Sequence, residues 1–201
     1  GKAAQNRAFE SENEELSKLL DLPYTEDSDA IAARVVSGSP GNFEWTVQID
    51  RGTNDGVAED MAVVTGAGLV GRVVEASGSR ATVLLLRDPK SGIAVVTEGA
   101  RTTGIASGRT GETTLDLDFV DSGVQVDEGE LVFTSGRDNS RFPPSIPVAR
   151  VEKVEKGQLE QDIVLRPLVD FDSLEFVKVL RPPTVQSPSP TTASPATGAA
   201  P

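Results

Sequence analysis

A short β-rich segment occurs twice in this chain of 201 residues, and the duplication limits the folds that the chain can adopt. The first copy starts at Gly56 and reads GVAEDMAVVTGAGLVGRVV. The second starts at Gly123 and reads GVQVDEGELVFTSG, with the strand PVARV after a longer loop. Arg72 and Arg150 take the same place in the two copies. A repeat of this length predicts two duplicated β units, each of which needs further strands to close its core.

Twelve segments have the alternation of apolar and polar residues, or the flanking turn residues, that are typical of β-strands. They are residues 31–36, 43–50, 61–65, 69–76, 81–86, 92–97, 102–108, 113–120, 130–135, 147–155, 162–169 and 174–180. In the eighth, Leu115, Leu117 and Phe119 alternate with Asp116 and Asp118. We therefore expect the three apolar side chains to be buried and the two carboxylates to face water.

The repeat aligns strands one to four with strands seven to ten, which leaves two strands before the second copy and two after it. If the second copy takes the first of these pairs, two six-stranded barrels of the chymotrypsin-like type result. Residues 31–78 with 157–181 then form barrel 1, and residues 79–156 form barrel 2, inserted into the first. The alternative is two contiguous halves divided near residue 100. In both cases the predicted fold class is mainly β.

Residues 1–22, which precede the β-rich region, are rich in helix formers and predict a helix that ends before Pro23. A short heptad pattern predicts that this helix is the end of a dimeric coiled coil, and an exposed helix without a partner is the alternative. The a and d positions of the pattern are Asn6, Phe9, Asn13, Leu16 and Leu20.

Two further segments carry no hydrophobic period. Residues 23–30 are a polar linker between the helix and the first strand. Residues 182–201 are a mixture of Pro, Ser, Thr and Ala that cannot bury a core, so we expect a disordered tail.

The composition excludes several classes of function. The chain has neither His nor Cys, which removes the Ser-His-Asp triad, the Cys nucleophile and thiolate metal sites. Its formal net charge of -12 argues against binding to nucleic acid or to anionic lipid. No apolar run approaches the roughly 20 residues that span a bilayer. We expect no enzyme activity, no cofactor and no metal.

Asp116 and Asp118 are the strongest candidates for chemistry, because two carboxylates on one face of a strand can bind Ca²⁺ or act as an acid and base pair. A carboxylate-dependent hydrolase is therefore one alternative function. The simpler interpretation is that both residues lie on the wet face of a half-buried strand.

The segment from Phe142 to Pro147 reads FPPSIP, and its three Pro residues prevent regular strand pairing. An exposed, stiff and partly apolar loop is a reasonable contact for a partner protein, with Phe142, Pro143, Pro144 and Ile146 as candidates. The alternative is a loop that folds Phe142 over the end of its barrel.

The order of these segments resembles the MreC family, the rod shape-determining proteins of bacteria. The resemblance is carried by ENEELSKLLDL, VQIDRGTNDGVAEDMAVVTGAGLVGRVVE, TVLLLRDPKSGIAV, GIASG, GELVFTSG followed by RFPPSIPVARVEKVE, and VDFDSLEFVKVLRPP. Two features depart from the family pattern: RDNSR replaces the usual Gly-rich turn before the Pro-rich loop, and the polar tail lies outside the common core.

The resemblance implies a non-enzymatic scaffold on the extracytoplasmic side of the cell membrane, attached through an N-terminal anchor that precedes this sequence. Implied partners are a class B penicillin-binding protein, MreD and the MreB-linked elongation complex, together with a homodimer and filaments of the protein itself. Strand edges would offer one way to bind such partners. A periplasmic adaptor of an export system is the remaining alternative, although adaptors usually have a long helical hairpin.

Overall fold

The computed structural model of the protein describes residues 30–38, 45–136, 142–157 and 159–181. The predicted helix with Asn6, Phe9, Asn13, Leu16 and Leu20, nearly all of the linker, and the tail lie outside these residues. The described residues contain twelve strands: β1 (Ala30–Gly38), β2 (Thr46–Ile49), β3 (Ala62–Thr65), β4 (Gly68–Ser77), β5 (Arg80–Leu85), β6 (Ile93–Thr97), β7 (Thr103–Gly108), β8 (Leu115–Asp118), β9 (Leu131–Thr134), β10 (Pro147–Lys156), β11 (Gln161–Pro167) and β12 (Phe176–Leu180). A single 3₁₀ turn, Thr53–Asp55, precedes β3.

The strands form two closed antiparallel barrels. Barrel 1 has the order β1-β12-β3-β4-β5-β2, and barrel 2 has the order β10-β11-β8-β7-β6-β9. The prediction of two six-stranded barrels is therefore confirmed. Closure gives every described strand two neighbours, so the expectation that a partner strand adds to a free edge is wrong for this part of the chain.

The predicted allocation of strands is wrong in two places. Barrel 1 was expected to comprise residues 31–78 with 157–181, and barrel 2 residues 79–156, but β5 belongs to barrel 1 and β11 to barrel 2. The reason is local, because Gly78 and Ser79 alone connect β4 to β5. A two-residue connection makes consecutive strands pair as an antiparallel hairpin, and the short turn between β10 and β11 does the same.

The duplicated unit is consequently five strands long, with β1–β5 equivalent to β7–β11. The sixth strand of each barrel comes from the other copy. β6 follows the first unit in sequence but completes barrel 2, and β12 follows the second unit but completes barrel 1. The chain is thus a tandem duplication whose last strands are exchanged, and we call the segments that carry them across crossover 1 (residues 86–92) and crossover 2 (residues 168–175).

The two copies agree in register as well as in order. Arg72 pairs with Leu84 of β5, and Arg150 pairs with Arg166 of β11. In both copies the ladder shifts immediately after the next residue, Val73 or Val151. The two Arg residues are therefore equivalent in backbone position, and the β-bulges that follow them are equivalent too.

The two Arg side chains also reach equivalent points. Arg72 Nη1 lies 3.1 Å from Asp60 Oδ1, and Arg150 Nη1 donates to the Gly129 carbonyl oxygen at 2.6 Å. Asp60 and Gly129 each have a positive φ, and each donates its N–H to the second strand of the hairpin that follows, at the carbonyl oxygens of Val73 in β4 and Val151 in β10. One guanidinium thus holds the start of the same hairpin in both barrels.

The barrels share a core, because strands at their junction are buried on both faces. Val63 of β3 points into barrel 1, whereas its neighbours Ala62 and Val64 pack with the core of barrel 2. In β12, Val179 is inside barrel 1 and Leu180 packs with the second core. Burial on both faces explains why consecutive residues are apolar in Ala62–Val64 of β3 and at Val179 and Leu180 of β12.

Two glycines permit the close approach of backbones at this junction. Gly108 ends β7, and a Cβ there would overlap the Arg87 carbonyl oxygen in crossover 1. Gly68, at the β3–β4 turn with φ of +148°, has the Pro147 carbonyl of β10 at the position of a Cβ. The final Gly of the GIASG segment therefore has a packing role between the two copies.

We expect Gly108→Ala to destabilise the protein by about 1–3 kcal/mol, because the crossover backbone must move to admit the methyl group. The matched control is Gly38→Ala, where nothing lies within 4 Å of the added Cβ and φ is not positive. Urea unfolding of the two variants measures the difference. Equal stabilities would show that crossover 1 does not press on β7.

Deleting residues 176–181 should open barrel 1 and disturb barrel 2 much less, because β12 supplies Val177 and Val179 to the core of barrel 1 but only Leu180 as a fully buried side chain to the core of barrel 2. Amide hydrogen exchange reports the outcome: protection should fall in β1 and β3, which pair with β12, and persist in β7 and β8. Loss of protection in barrel 2 with retention in barrel 1 would contradict the exchange of sixth strands.

Candidate functional site

The candidate acid and base pair lies on the outer surface of barrel 2. Leu115 and Leu117 fill the barrel, so Asp116 and Asp118 point outward as the simpler interpretation predicted. Asp116 Oδ1 lies 3.0 Å from Arg109 Nε. Partial burial raises the pKa of Asp116 against the opposing effect of Arg109, and the charge of Asp118 raises it further. This geometry is that of a solvated ion pair on a barrel wall.

Within the ranges that the structure describes, no three His, Cys, Asp or Glu side chains are grouped as metal ligands would be. The same part of the chain also contains no helix that is long and apolar enough to cross a bilayer.

The most tightly constrained polar residue at the barrel junction is Asp88 of crossover 1, which is almost fully buried. Its Oδ2 accepts the N–H of Trp45 at 2.9 Å, and its Oδ1 accepts the N–H of Lys90 at 2.7 Å. The carboxylate therefore fixes the backbone just before β2 and stabilises the turn that leads from β5 toward β6. Ser91 Oγ closes the same turn by donating to the Leu86 carbonyl oxygen at 2.8 Å.

Arg87 joins the two crossovers. Its guanidinium carbon lies 3.5 Å from the ring centroid of Trp45, and its Nη1 lies 3.0 Å from Asp172 Oδ1 in crossover 2. Stacking on an indole suits a partly desolvated guanidinium. The two exchanged strands are thus tied together at the point where they cross between the barrels.

A groove of about 410 Å³ opens beside this contact, and we call it the junction groove. One of its lining residues, Phe171, packs against the cores of both barrels. Charged side chains of both signs line the groove. The other lining residues are Arg87, Thr113, Thr114, Glu152, Arg166, Pro167, Val169, Asp170 and Asp172. Arg166 and Glu152 form an ion pair across it.

Two apolar side chains are the most exposed of those that the structure describes, and both lie at one end of barrel 2. Phe119 is 68% exposed and Leu159 is 84% exposed. The expectation that Phe119 is buried like Leu115 and Leu117 is wrong. Leu117 pairs with Ile163 and Asp121 pairs with Glu160, so three residues face two between these pairs. The extra residue is a β-bulge, which turns Phe119 outward.

The Pro-rich loop is only partly available to a partner. Phe142 and Ile146 are buried in the core of barrel 2, Pro143 is half-buried and Pro144 is exposed. Thr134 of β9 anchors the loop: its Oγ1 donates to the Pro143 carbonyl oxygen at 2.6 Å and accepts the Ile146 N–H at 3.0 Å. This placement is the alternative in which Phe142 closes the barrel, and partner binding through the exposed Pro144 side stays a prediction.

Sequence reasoning missed the residues of the junction. Residues 87–91, which read RDPKS, lie between two consecutive predicted strands of barrel 2, residues 81–86 and 92–97, but they form a crossover between the barrels. The residue types of this segment carry no signal of a crossover, because Asp and Pro are equally common in tight turns. For Phe119, the signal was the adjacent Val120, which breaks the alternation.

Comparison with known proteins agrees with the geometry. The family model described as "Rod shape-determining protein MreC, barrel core" matches residues 35–181. The cell shape-determining protein MreC of Listeria monocytogenes is 35% identical over 180 residues, which cover 86% of this chain and 61% of that protein. The chain thus spans about three fifths of the length of this curated relative.

Solved structures show the same fold. One described as MreC aligns with a TM-score of 0.80 and 30% identity, covering 87% of this chain and 99% of that one. A second, from a complex between penicillin-binding protein PBP2 and MreC of Helicobacter pylori, has a TM-score of 0.61 at 18% identity, with 77% and 99% covered.

The fold and these matches define the class of the protein as a pair of closed six-stranded barrels of the kind found in rod shape-determining proteins. The chain belongs to the MreC family of rod shape-determining proteins.

Asp88→Asn should destabilise the protein by about 1–3 kcal/mol, because the amide can accept only one of the two N–H groups that the buried carboxylate accepts. Asp118→Asn is the matched control, since that side chain is exposed on the barrel wall. Thermal unfolding of both variants decides the point. A destabilisation equal to that of the control would mean that Asp88 does not hold the crossover.

Proposed function

We propose that this chain is the extracytoplasmic part of a non-enzymatic scaffold of bacterial cell elongation, and that it binds a class B penicillin-binding protein. The observation that carries the proposal is the common fold with an MreC that forms a complex with PBP2 in Helicobacter pylori. Family membership supports the role in cell shape. In this proposal the protein acts by holding peptidoglycan-synthesis enzymes together.

The architecture suits a scaffold because it fixes one barrel relative to the other. Leu69 and Leu180 from barrel 1 lie in the same apolar cluster as Val148 and Ile146 from barrel 2. Such a shared core resists bending, so surfaces on the two barrels keep a constant spacing. Since the described strands have no free edge, binding falls to side chains on the barrel walls and loops.

The remaining parts of the proposal concern segments outside the described residues. A membrane anchor upstream of this sequence would place the barrels on the extracytoplasmic side of the cell membrane. MreD and the MreB-linked complex are further partners in this proposal. Homodimers would form through the heptad positions Asn6, Phe9, Asn13, Leu16 and Leu20, and filaments would be built from such dimers.

The chain should bind the purified extracytoplasmic region of the class B penicillin-binding protein encoded in the same genome, with saturation at one to one. Isothermal titration calorimetry measures the stoichiometry and the affinity. An unrelated acidic β protein of similar net charge is the control, because it separates specific binding from attraction between opposite charges.

The proposal fails if no saturable heat is seen with this penicillin-binding protein and full-length protein, cross-linked in cells, recovers only proteins unrelated to wall synthesis.

A further inference from the structure

The bulge at the end of β8 creates a surface that the fold of the chain does not use. We call it the terminal patch, and it consists of the two exposed apolar side chains and the carboxylates around them: Asp118, Phe119, Asp121, Leu159, Glu160 and Asp162. Its backbone is fixed rather than loose. Ser122 N–H donates to the Leu159 carbonyl oxygen at 3.0 Å, and Gln161 N–H donates to the Val120 carbonyl oxygen at 2.9 Å.

The side chain of Gln161 adds two further bonds beneath the patch. Its Nε2 donates to the carbonyl oxygens of Asp121 at 2.8 Å and Val124 at 2.5 Å. Phe119 and Leu159 are therefore presented on a hydrogen-bonded platform. Phe119 is two residues before Asp121, and Leu159 is next to Glu160, the bridge partner of Asp121.

The backbone conformation of Phe119 lowers the stability of the folded chain. Its φ of 66° is in the left-handed region, which bulky residues rarely adopt and which Asn and Gly adopt readily. Its ring is 68% exposed, so little burial offsets this backbone strain. Folding alone would be served better by Asn or Gly at this position.

The charged side chains of the terminal patch itself are all acidic. Asp118, Asp121, Glu160 and Asp162 are all exposed, and neither residues 118–122 nor residues 159–162 contain Lys or Arg. Lys156 lies opposite Gln161 at the end of β10, on one side of the patch. An apolar pair inside an acidic rim is complementary to apolar side chains flanked by basic residues.

We propose that the terminal patch docks a segment of a partner protein in which apolar side chains are flanked by Lys or Arg. A second copy of this chain does not fit, because its net charge of -12 repels the patch. An anionic membrane surface is repelled for the same reason. Where the partner is taken to be the penicillin-binding protein, this inference rests on the function proposed above.

The test compares variants in binding to two probes. One is the extracytoplasmic region of the class B penicillin-binding protein, and the other is a synthetic peptide of alternating Leu and Lys, with a Leu and Glu peptide as its control. The variants are Phe119→Asn, Leu159→Ser and the double neutralisation Asp121→Asn with Glu160→Gln. Val36→Ser is the matched control, since Val36 is 46% exposed and lies on barrel 1.

Phe119→Asn should weaken binding of both probes by about tenfold, as expected for an aromatic anchor at an interface. The same substitution should leave the melting temperature unchanged or raise it, because Asn tolerates the left-handed backbone. Leu159→Ser should weaken binding in the same direction. A residue with a merely structural role would instead lose stability when it is replaced.

The double neutralisation should reduce the salt dependence of binding, while Val36→Ser should change nothing. In the wild-type protein, amide chemical shifts on addition of the Leu and Lys peptide should change most at Phe119, Ser122 and Leu159.

The outcomes separate the two proposals. If the penicillin-binding protein does not bind but the Leu and Lys peptide binds through Phe119, the inference stands and the proposed function fails. If the penicillin-binding protein binds equally to the wild type and all patch variants, and the peptide shifts fall elsewhere, the inference is overturned and the proposed function stands. Concentration-dependent dimerisation that Phe119→Asn abolishes would also overturn it, in favour of a second copy.

Discussion

The exchange of the sixth strands is the constraint on which the rest of the structure depends. Each five-strand unit lacks the sixth strand of its barrel. That strand is the one that follows the other unit in sequence. Both crossovers must therefore pass through the junction, where Asp88 holds crossover 1 and Arg87 binds crossover 2 through Asp172. Because the sixth strand of each barrel follows the other copy in sequence, the chain passes between the barrels twice and joins them at the junction.

This constraint bears directly on function. Strands at the junction are buried on both faces, so the barrels share a core and keep a fixed spacing. A protein of this kind offers surfaces at fixed positions, as the scaffold function that we propose requires. The junction is held by close backbone contacts such as Gly108 against Arg87, whereas the end of barrel 2 carries a bulge and an exposed Phe119.

Much of the fold could be predicted from the sequence, because the repeat and the strand pattern are local signals. The twelve strands, the equivalence of Arg72 with Arg150 and the two barrels follow from them. The partners of β5 and β11 could not be obtained by counting strands, since hairpin length decides them. Phe119 was assigned to the wrong face because one extra residue in a strand reverses the direction of the next side chain, and the candidate surface depends on that residue. The heptad positions lie outside the described residues, so the coiled coil stays a prediction.

The most direct test of this account is a NOESY experiment on the isotopically labelled chain that locates the neighbours of the two sixth strands. The exchanged arrangement predicts cross-strand contacts between Val179 of β12 and Val63 of β3, and between Val95 of β6 and Thr134 of β9. Contacts of β6 with β3 and of β12 with β9 would contradict it, since each unit would then close with its own strand.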